Sequence, residues 1–121
     1  YKGIDDFMVV LEDQAAVANN NPSFNLIKSM DSRGLIITSK GKDVDFVSRW
    51  YGPQTGINED PATGSAHALL ATYWSKILNK PKMSARQLSK RVGHLECNVK
   101  EDIIEITGEA KLYLRGTLHL N

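Results

Sequence analysis

The chain has 121 residues, 41% of them hydrophobic and 24% charged, with 15 Lys+Arg set against 14 Asp+Glu for a net charge of +1. That length is ordinary for one domain, and such a domain buries roughly two thirds of the surface its unfolded chain exposes. The composition excludes collagen-like, coiled-coil and disordered chains, and the near-neutral charge gives no general attraction to nucleic acid or to an anionic membrane.

The single cysteine, Cys97, rules out an internal disulfide and any zinc site built on several cysteines. A solitary thiol suits a reducing compartment, so a cytoplasmic location is expected. The opening residues show no basic segment leading into an apolar one, as a signal peptide would. No uncharged apolar stretch approaches the ~20 residues that a membrane helix needs. Residue 1 is not Met, which points to a processed chain or an excised fragment.

In chain order, Phe7-Met8-Val9-Val10-Leu11 is a short apolar run that suits a buried strand. Glu12 to Asn21 is polar and ends in a turn cluster, and Pro22 opens a short helix through about Met30 with Phe24, Leu26 and Ile27 on its apolar side. Gly34 to Ser39 reads as a strand, closed by the turn Lys40-Gly41-Lys42-Asp43. Val44 to Tyr51 reads as a strand, alternating Val44, Phe46 and Trp50 with Asp45 and Arg49. A loop of some 14 residues follows, Gly52 to Ser65, expected to lack structure of its own. Then comes the clearest helix: Ala66, Leu69, Leu70, Tyr73, Trp74, Ile77 and Leu78 fall at the spacing of one helical face. The other side, with His67, Ala68, Ala71, Thr72 and Ser75, is small or neutral, which predicts a helix buried all round. The last third reads as β: Arg86–Arg91 weakly, then Leu95–Val99, Asp102–Thr107 and Ala110–Leu120, with close turns that favour antiparallel pairing. The expected architecture is α+β, a curved, mixed, largely antiparallel sheet of six or seven strands wrapped around one central buried helix.

Chemistry is expected at the junction of the long loop and that helix. Glu59 and Asp60 stand directly before it, and Thr63-Gly64-Ser65 at its start. Helix starts expose unpaired N–H groups and partial positive charge, so they accept carboxylates and phosphates. Gly64 leaves the backbone open to close approach, and Ser65 adds a hydroxyl. A purely structural reading stands beside this one: Asp60-Pro61 suits a helix opening, with Asp as N-cap and Pro at the first helical position. No triad, metal motif or phosphate-loop signature occurs. The residues alone imply an anion site beside an acid/base carboxylate.

The string Gly56-Ile57-Asn58-Glu59-Asp60-Pro61-Ala62-Thr63-Gly64-Ser65-Ala66-His67, continuing through Tyr73-Trp74, resembles the PhzF family of phenazine biosynthesis-like proteins. Ser32-Arg33-Gly34-Leu35-Ile36 and Phe46-Val47-Ser48-Arg49-Trp50 add to the likeness. Gln87-Leu88-Ser89-Lys90-Arg91-Val92-Gly93 is similar to the family's Gln-x-Ser-x-Arg-Gly-Gly segment, with Val92 in place of the first glycine of the pair. The resemblance implies the diaminopimelate epimerase-like fold, in which two related lobes enclose a cleft, and residues 1–121 would form one domain, the C-terminal lobe. It also implies a cofactor-independent, metal-free isomerase that transfers a proton on a small carboxylate-bearing substrate, dihydroaromatic or amino-acid-like. On matching positions Asp60 would be the catalytic carboxylate. Thr63, Gly64, Ser65 and Glu59 would bind substrate, with His67 and Gln87 behind them. The epimerases' paired cysteines have no counterpart in this loop. The family's glutamate and cleft histidine lie in the N-terminal lobe, so this lobe alone is expected to be inactive, and its apolar cleft face favours a homodimer. The alternative is a non-catalytic binding protein that keeps the fold and an anion pocket. Beyond the loop, His67 and Cys97 are expected in the core with Trp50, Tyr73 and Trp74. His119 is expected at the surface, and Arg49 and Arg91 in surface salt bridges.

Overall fold

Seven strands and three α-helices follow the order β1 (Asp6–Val10), α1 (Gln14–Ala18), α2 (Phe24–Lys28), β2 (Gly34–Lys40), β3 (Phe46–Gly52), β4 (Ile57–Glu59), α3 (Gly64–Leu78), β5 (Lys82–Gln87), β6 (Gly93–Val99) and β7 (Ile104–Gly108), in a computed structural model that describes residues 1–120. The strands form one open sheet in the order β1-β2-β3-β5-β6-β7, with β4 added to β3. β1–β2 and β3–β5 run parallel, and every other pair is antiparallel. Parallel neighbours need a long crossover. α1 and α2 lie in the first of these and α3 in the second. The α+β class and the largely antiparallel sheet are those expected from the sequence.

Successive strand residues point to opposite faces, and the core divides accordingly. Ile36, Phe46 and Trp50 join Met8, Met83, Leu95, Cys97 and the α3 residues Ala66, Leu70, Ala71 and Trp74. Their neighbours Ile37, Val47 and Tyr51 pack on the other side with Val17 of α1 and Ile27 of α2. Each fully buried Leu or Phe contributes about 1.5–3 kcal/mol of transfer free energy. The Phe46 and Trp74 rings stack at 6.0 Å, and the Trp74 indole N–H donates to Thr38 Oγ1 at 3.0 Å. Trp50 is held between two backbones, because a Cβ at Gly34 or Gly52 would lie within 2.6 Å of its ring.

Several expectations are corrected. The segment 52–65 is not structureless: Pro53–Thr55 forms a 3-10 turn, Gly56 takes φ +90°, and β4 returns along β3. Backbone pairing with β3 supplies the order that the sequence pattern does not advertise. The helix is not buried all round. Ala66, His67, Leu70, Ala71 and Trp74 face the sheet, while Ser65, Ala68, Thr72, Lys76 and Ile77 are exposed. The weak strand expected at 86–91 is β5, four residues earlier, where Lys82 to Gln87 pair with β6. The strand expected at 110–120 is absent: residues 109–120 belong to no helix or strand and are exposed. α1, not expected at all, is opened by Asp13, whose carboxylate accepts the Ala16 N–H at 2.8 Å.

Candidate active site

α3 starts at Gly64, so Asp60 is neither its N-cap nor is Pro61 its first residue. The N-cap is Thr63, in extended conformation, and its side chain makes no capping bond. That hydroxyl is committed elsewhere. Thr63 Oγ1 donates to Asp60 Oδ2 at 2.7 Å and accepts from Gln87 Nε2 at 3.0 Å. Gln87, fully buried at the end of β5, also donates from Nε2 to the Asp60 carbonyl at 2.7 Å, and its Oε1 accepts the Thr63 N–H at 2.8 Å. One amide therefore bridges both ends of the turn 60–63. Ser89 Oγ lies 3.0 Å from the Pro61 carbonyl and 2.8 Å from that of Arg91, so its one hydrogen is shared between the Asp60 turn and its own loop. Gly93 lies against it, since a Cβ there would come within 2.8 Å of the Ala62 Cβ. The segment Gln87–Gly93 is thus the clamp of the Asp60 turn, and the Val92 side chain points away, exposed.

With the N-cap hydroxyl turned aside, no side chain caps the first turn of α3. Gly64 and Ser65 are exposed there, and nothing approaches the Cβ position of Gly64 within 4 Å. Ser65 Oγ accepts from Arg33 Nη1 at 2.8 Å. Arg33 is itself held by the buried Asp6 through Nε at 3.0 Å and a second, shorter bond from Nη2, and its guanidinium lies over the Trp50 ring. The bond to Asp6 raises the Arg33 pKa further, against the opposing effect of burial. A hydroxyl that accepts from an arginine keeps its own hydrogen free for another acceptor. Ser65 is therefore set to donate outward, beside the open helix start. Ser65 and Arg33 reach a cavity of about 350 Å³, within the range of small-ligand pockets, whose walls include Asp5 and Asp6 as well as the apolar Ile4, Leu69 and Ile104. A larger cavity of about 500 Å³ over β5–β7 contains none of the candidate residues.

Glu59 lies apart from this group. Its carboxylate takes two bonds from Arg49, 2.6 Å from Nε and 2.9 Å from Nη2, and Arg49 Nη1 reaches the carbonyls of Ala18 and Asn20 at the end of α1. The pair is largely buried rather than a surface bridge, and the Glu59 bond raises the Arg49 pKa. Glu59 ties β4 to α1. Arg91 is exposed and makes no ion pair among the described residues. His67 is fully buried, its Nδ1 2.8 Å from the Thr63 carbonyl, and burial lowers its pKa. Cys97 is buried, and its thiol is pushed up to about 11. Trp50 and Trp74 are buried, Tyr73 half-buried, and His119 exposed. No cluster of metal-ligating side chains occurs among the described residues. Sequence reasoning passed over Asp6, Arg33 as the partner of Ser65, and Ser89. The usable signal was the family-like Ser-Arg-Gly and Gln-x-Ser segments, of whose side chains only Gln87 was expected behind the substrate site.

A half-covered helix with an uncapped start, and a clamped carboxylate beside it, sit against the mixed sheet of an α+β fold. Residues 1–117 match the model of the PhzC-PhzF family, the phenazine biosynthesis-like proteins. The chain is 47% identical over 116 residues to an uncharacterized isomerase of Pseudomonas aeruginosa, a match covering 96% of this chain and 45% of that protein. An uncharacterized isomerase of Halalkalibacterium halodurans is 40% identical over 117 residues, covering 95% of this chain and 44% of its own. Among solved structures, a PhzC/PhzF phenazine biosynthesis protein from Clostridium difficile superposes with a TM-score of 0.84 at 43% identity, covering 95% of this chain and 45% of that one. The chain belongs to the PhzC-PhzF family. It spans a little under half the length of these relatives.

Proposed function

We propose that the chain is the C-terminal lobe of a PhzF-type isomerase that moves a proton by acid/base chemistry, without a metal or organic cofactor. The substrate is small and carboxylate-bearing, either a dihydroaromatic acid or an amino-acid-like molecule. The observation that carries this reading is the pairing of the clamped Asp60 carboxylate with an uncapped helix start four residues further along the chain. Relatives named as isomerases support the reaction class.

In this reading the substrate carboxylate docks at the Gly64 and Ser65 N–H groups, where the helix dipole favours negative charge. The Ser65 hydroxyl, turned outward by Arg33, adds a donor. On a dihydroaromatic acid Asp60 takes a proton from one carbon and a proton is returned at another, so that only a double bond moves. On an amino-acid-like molecule the proton is returned to the same carbon from the opposite face, and atoms are conserved in both cases. The second proton-handling group comes from the N-terminal lobe, which also closes the cleft and excludes water.

The test uses the full-length protein in D2O with a panel of dihydroaromatic and amino acids, reading deuterium incorporation by mass spectrometry. Asp60→Asn is expected to lower kcat by at least about a hundredfold while the circular dichroism spectrum is kept. An Asp60→Asn protein that exchanges deuterium at the wild-type rate would overturn the proposal.

A further inference from the structure

Thr63 stands in the string that suggests substrate binding, yet its hydroxyl faces inward and the residue is buried. What it does follows from the polarity of its bonds. Gln87 has one orientation only. The Asp60 carbonyl can only accept, so the atom beside it is the amide nitrogen, and the Thr63 N–H can only donate, so the atom beside it is the amide oxygen. The backbone thereby assigns the amide without ambiguity. Its second N–H then points at Thr63 Oγ1 at 3.0 Å. The Thr63 hydroxyl accepts that N–H and donates its own single hydrogen to Asp60 Oδ2, at 2.7 Å. Oδ2 is thus the acceptor of this bond. Oδ1 has no hydrogen-bond partner among the described residues.

We infer that Gln87 and Thr63 form a one-way hydrogen-bond relay that fixes Oδ1 of Asp60 as the oxygen that exchanges the proton with substrate. Thr63 and Gln87 are positioning residues, and Thr63 is not a substrate ligand. The inference rests on Asp60 being the acid/base group. Its advantage is geometric: a carboxylate free to rotate offers either oxygen, whereas a held one presents a single basic atom in a fixed direction, and such pre-orientation lowers the entropy cost of the step.

Neutron diffraction from deuterium-exchanged crystals of the full-length protein tests the relay without any substrate. The expected result is a deuteron on Thr63 Oγ1 directed at Asp60 Oδ2, with both Gln87 Nε2 deuterons engaged. A deuteron on Oδ2 directed at Thr63 would overturn the inference. Kinetics then separates positioning from binding. Thr63→Val is expected to lower kcat at least about tenfold with KM within about twofold of wild type, and Thr63→Ser, which keeps the hydroxyl, to restore most of it. A raised KM with kcat unchanged in Thr63→Val would instead make Thr63 a substrate ligand and sink the relay. A fully active Asp60→Asn overturns the acid/base reading on its own, whatever the neutron map shows.

Discussion

His67 shows how one side chain can look functional in a sequence and serve the core in the fold. Its Nδ1 faces a carbonyl, which can only accept, so Nδ1 carries the hydrogen and Nε2 is left bare. Nε2 is buried with no partner among the described residues, and Phe46 lies 6.0 Å from the ring. Desolvation lowers the pKa of this imidazole in the fold, outweighing the bond to Thr63. The unfolded chain titrates near the ordinary value of about 6.5, so below that pH it takes up a proton that the fold refuses. The stability is therefore complete above about pH 6.5 and lost as the pH falls, with a slope of up to ~1.4 kcal/mol per pH unit until the folded histidine itself protonates. Urea unfolding at pH 7.5 and 5.5 should show this loss, and His67→Gln, which cannot ionise, should remove a part equal to one proton. An identical pH dependence in the variant would mean that His67 is not the group responsible. The core placements of His67, Cys97, Trp50 and Trp74 were all legible in the sequence, since apolar neighbours at helix and strand spacing leave few alternatives. The fate of Thr63 was not, because a hydroxyl's partner depends on which distant amide arrives beside it.

At the level of elements, β4 decides where Glu59 points. The pairing of Tyr51 with Glu59 and of Gly52 with Ile57, with a bulge between them, turns the Glu59 carboxylate toward Arg49 on the neighbouring strand. Two bonds in fork geometry, in a site where both side chains are mostly covered, make this pair structural. Glu59→Gln leaves Arg49 without its counter-charge and is expected to cost about 1–3 kcal/mol in chemical denaturation, with little effect on KM. Unchanged stability with a raised KM would return Glu59 to the list of substrate ligands. The same scale explains two misreadings. α1 is five residues long, too short for helical periodicity to register, although Asp13 before a run rich in alanine was an available cap signal. Residues 110–120 alternate as a strand does, but a strand exists only where another backbone accepts its hydrogen bonds, and alternation names no partner.

For the molecule as a whole, what stands out is apolar surface without cover. Leu112, Tyr113, Leu114, Leu118 and Leu120 are exposed along the tail, and Ile4 and Ile77 elsewhere, while the uncovered side of α3 carries only small or neutral groups before Lys76. Exposed apolar side chains in this number favour association with another surface. The 121-residue chain by itself is expected to self-associate in light scattering as its concentration rises, and to incorporate no deuterium into any acid that the full-length protein labels. A strictly monomeric chain at high concentration, or labelling by the chain alone, would contradict this view. No described helix is long and apolar enough to cross a membrane.

The sequence by itself determined the α+β class, the strands β1, β2, β3 and β6, the helix that follows the Glu-Asp-Pro-Ala-Thr-Gly-Ser string, and the family. These depend on local periodicity and on a rare run of residues, both of which are written along the chain. Only the tertiary structure decided that Thr63 and not Asp60 ends the helix, that Gln87 locks the Asp60 turn from 27 residues away, that Arg33 aims Ser65, and that Glu59 belongs to a strand tie. The last three are hydrogen bonds between residues 10 to 32 apart in sequence. A polar side chain declares how many partners it needs, but the fold chooses which ones it gets.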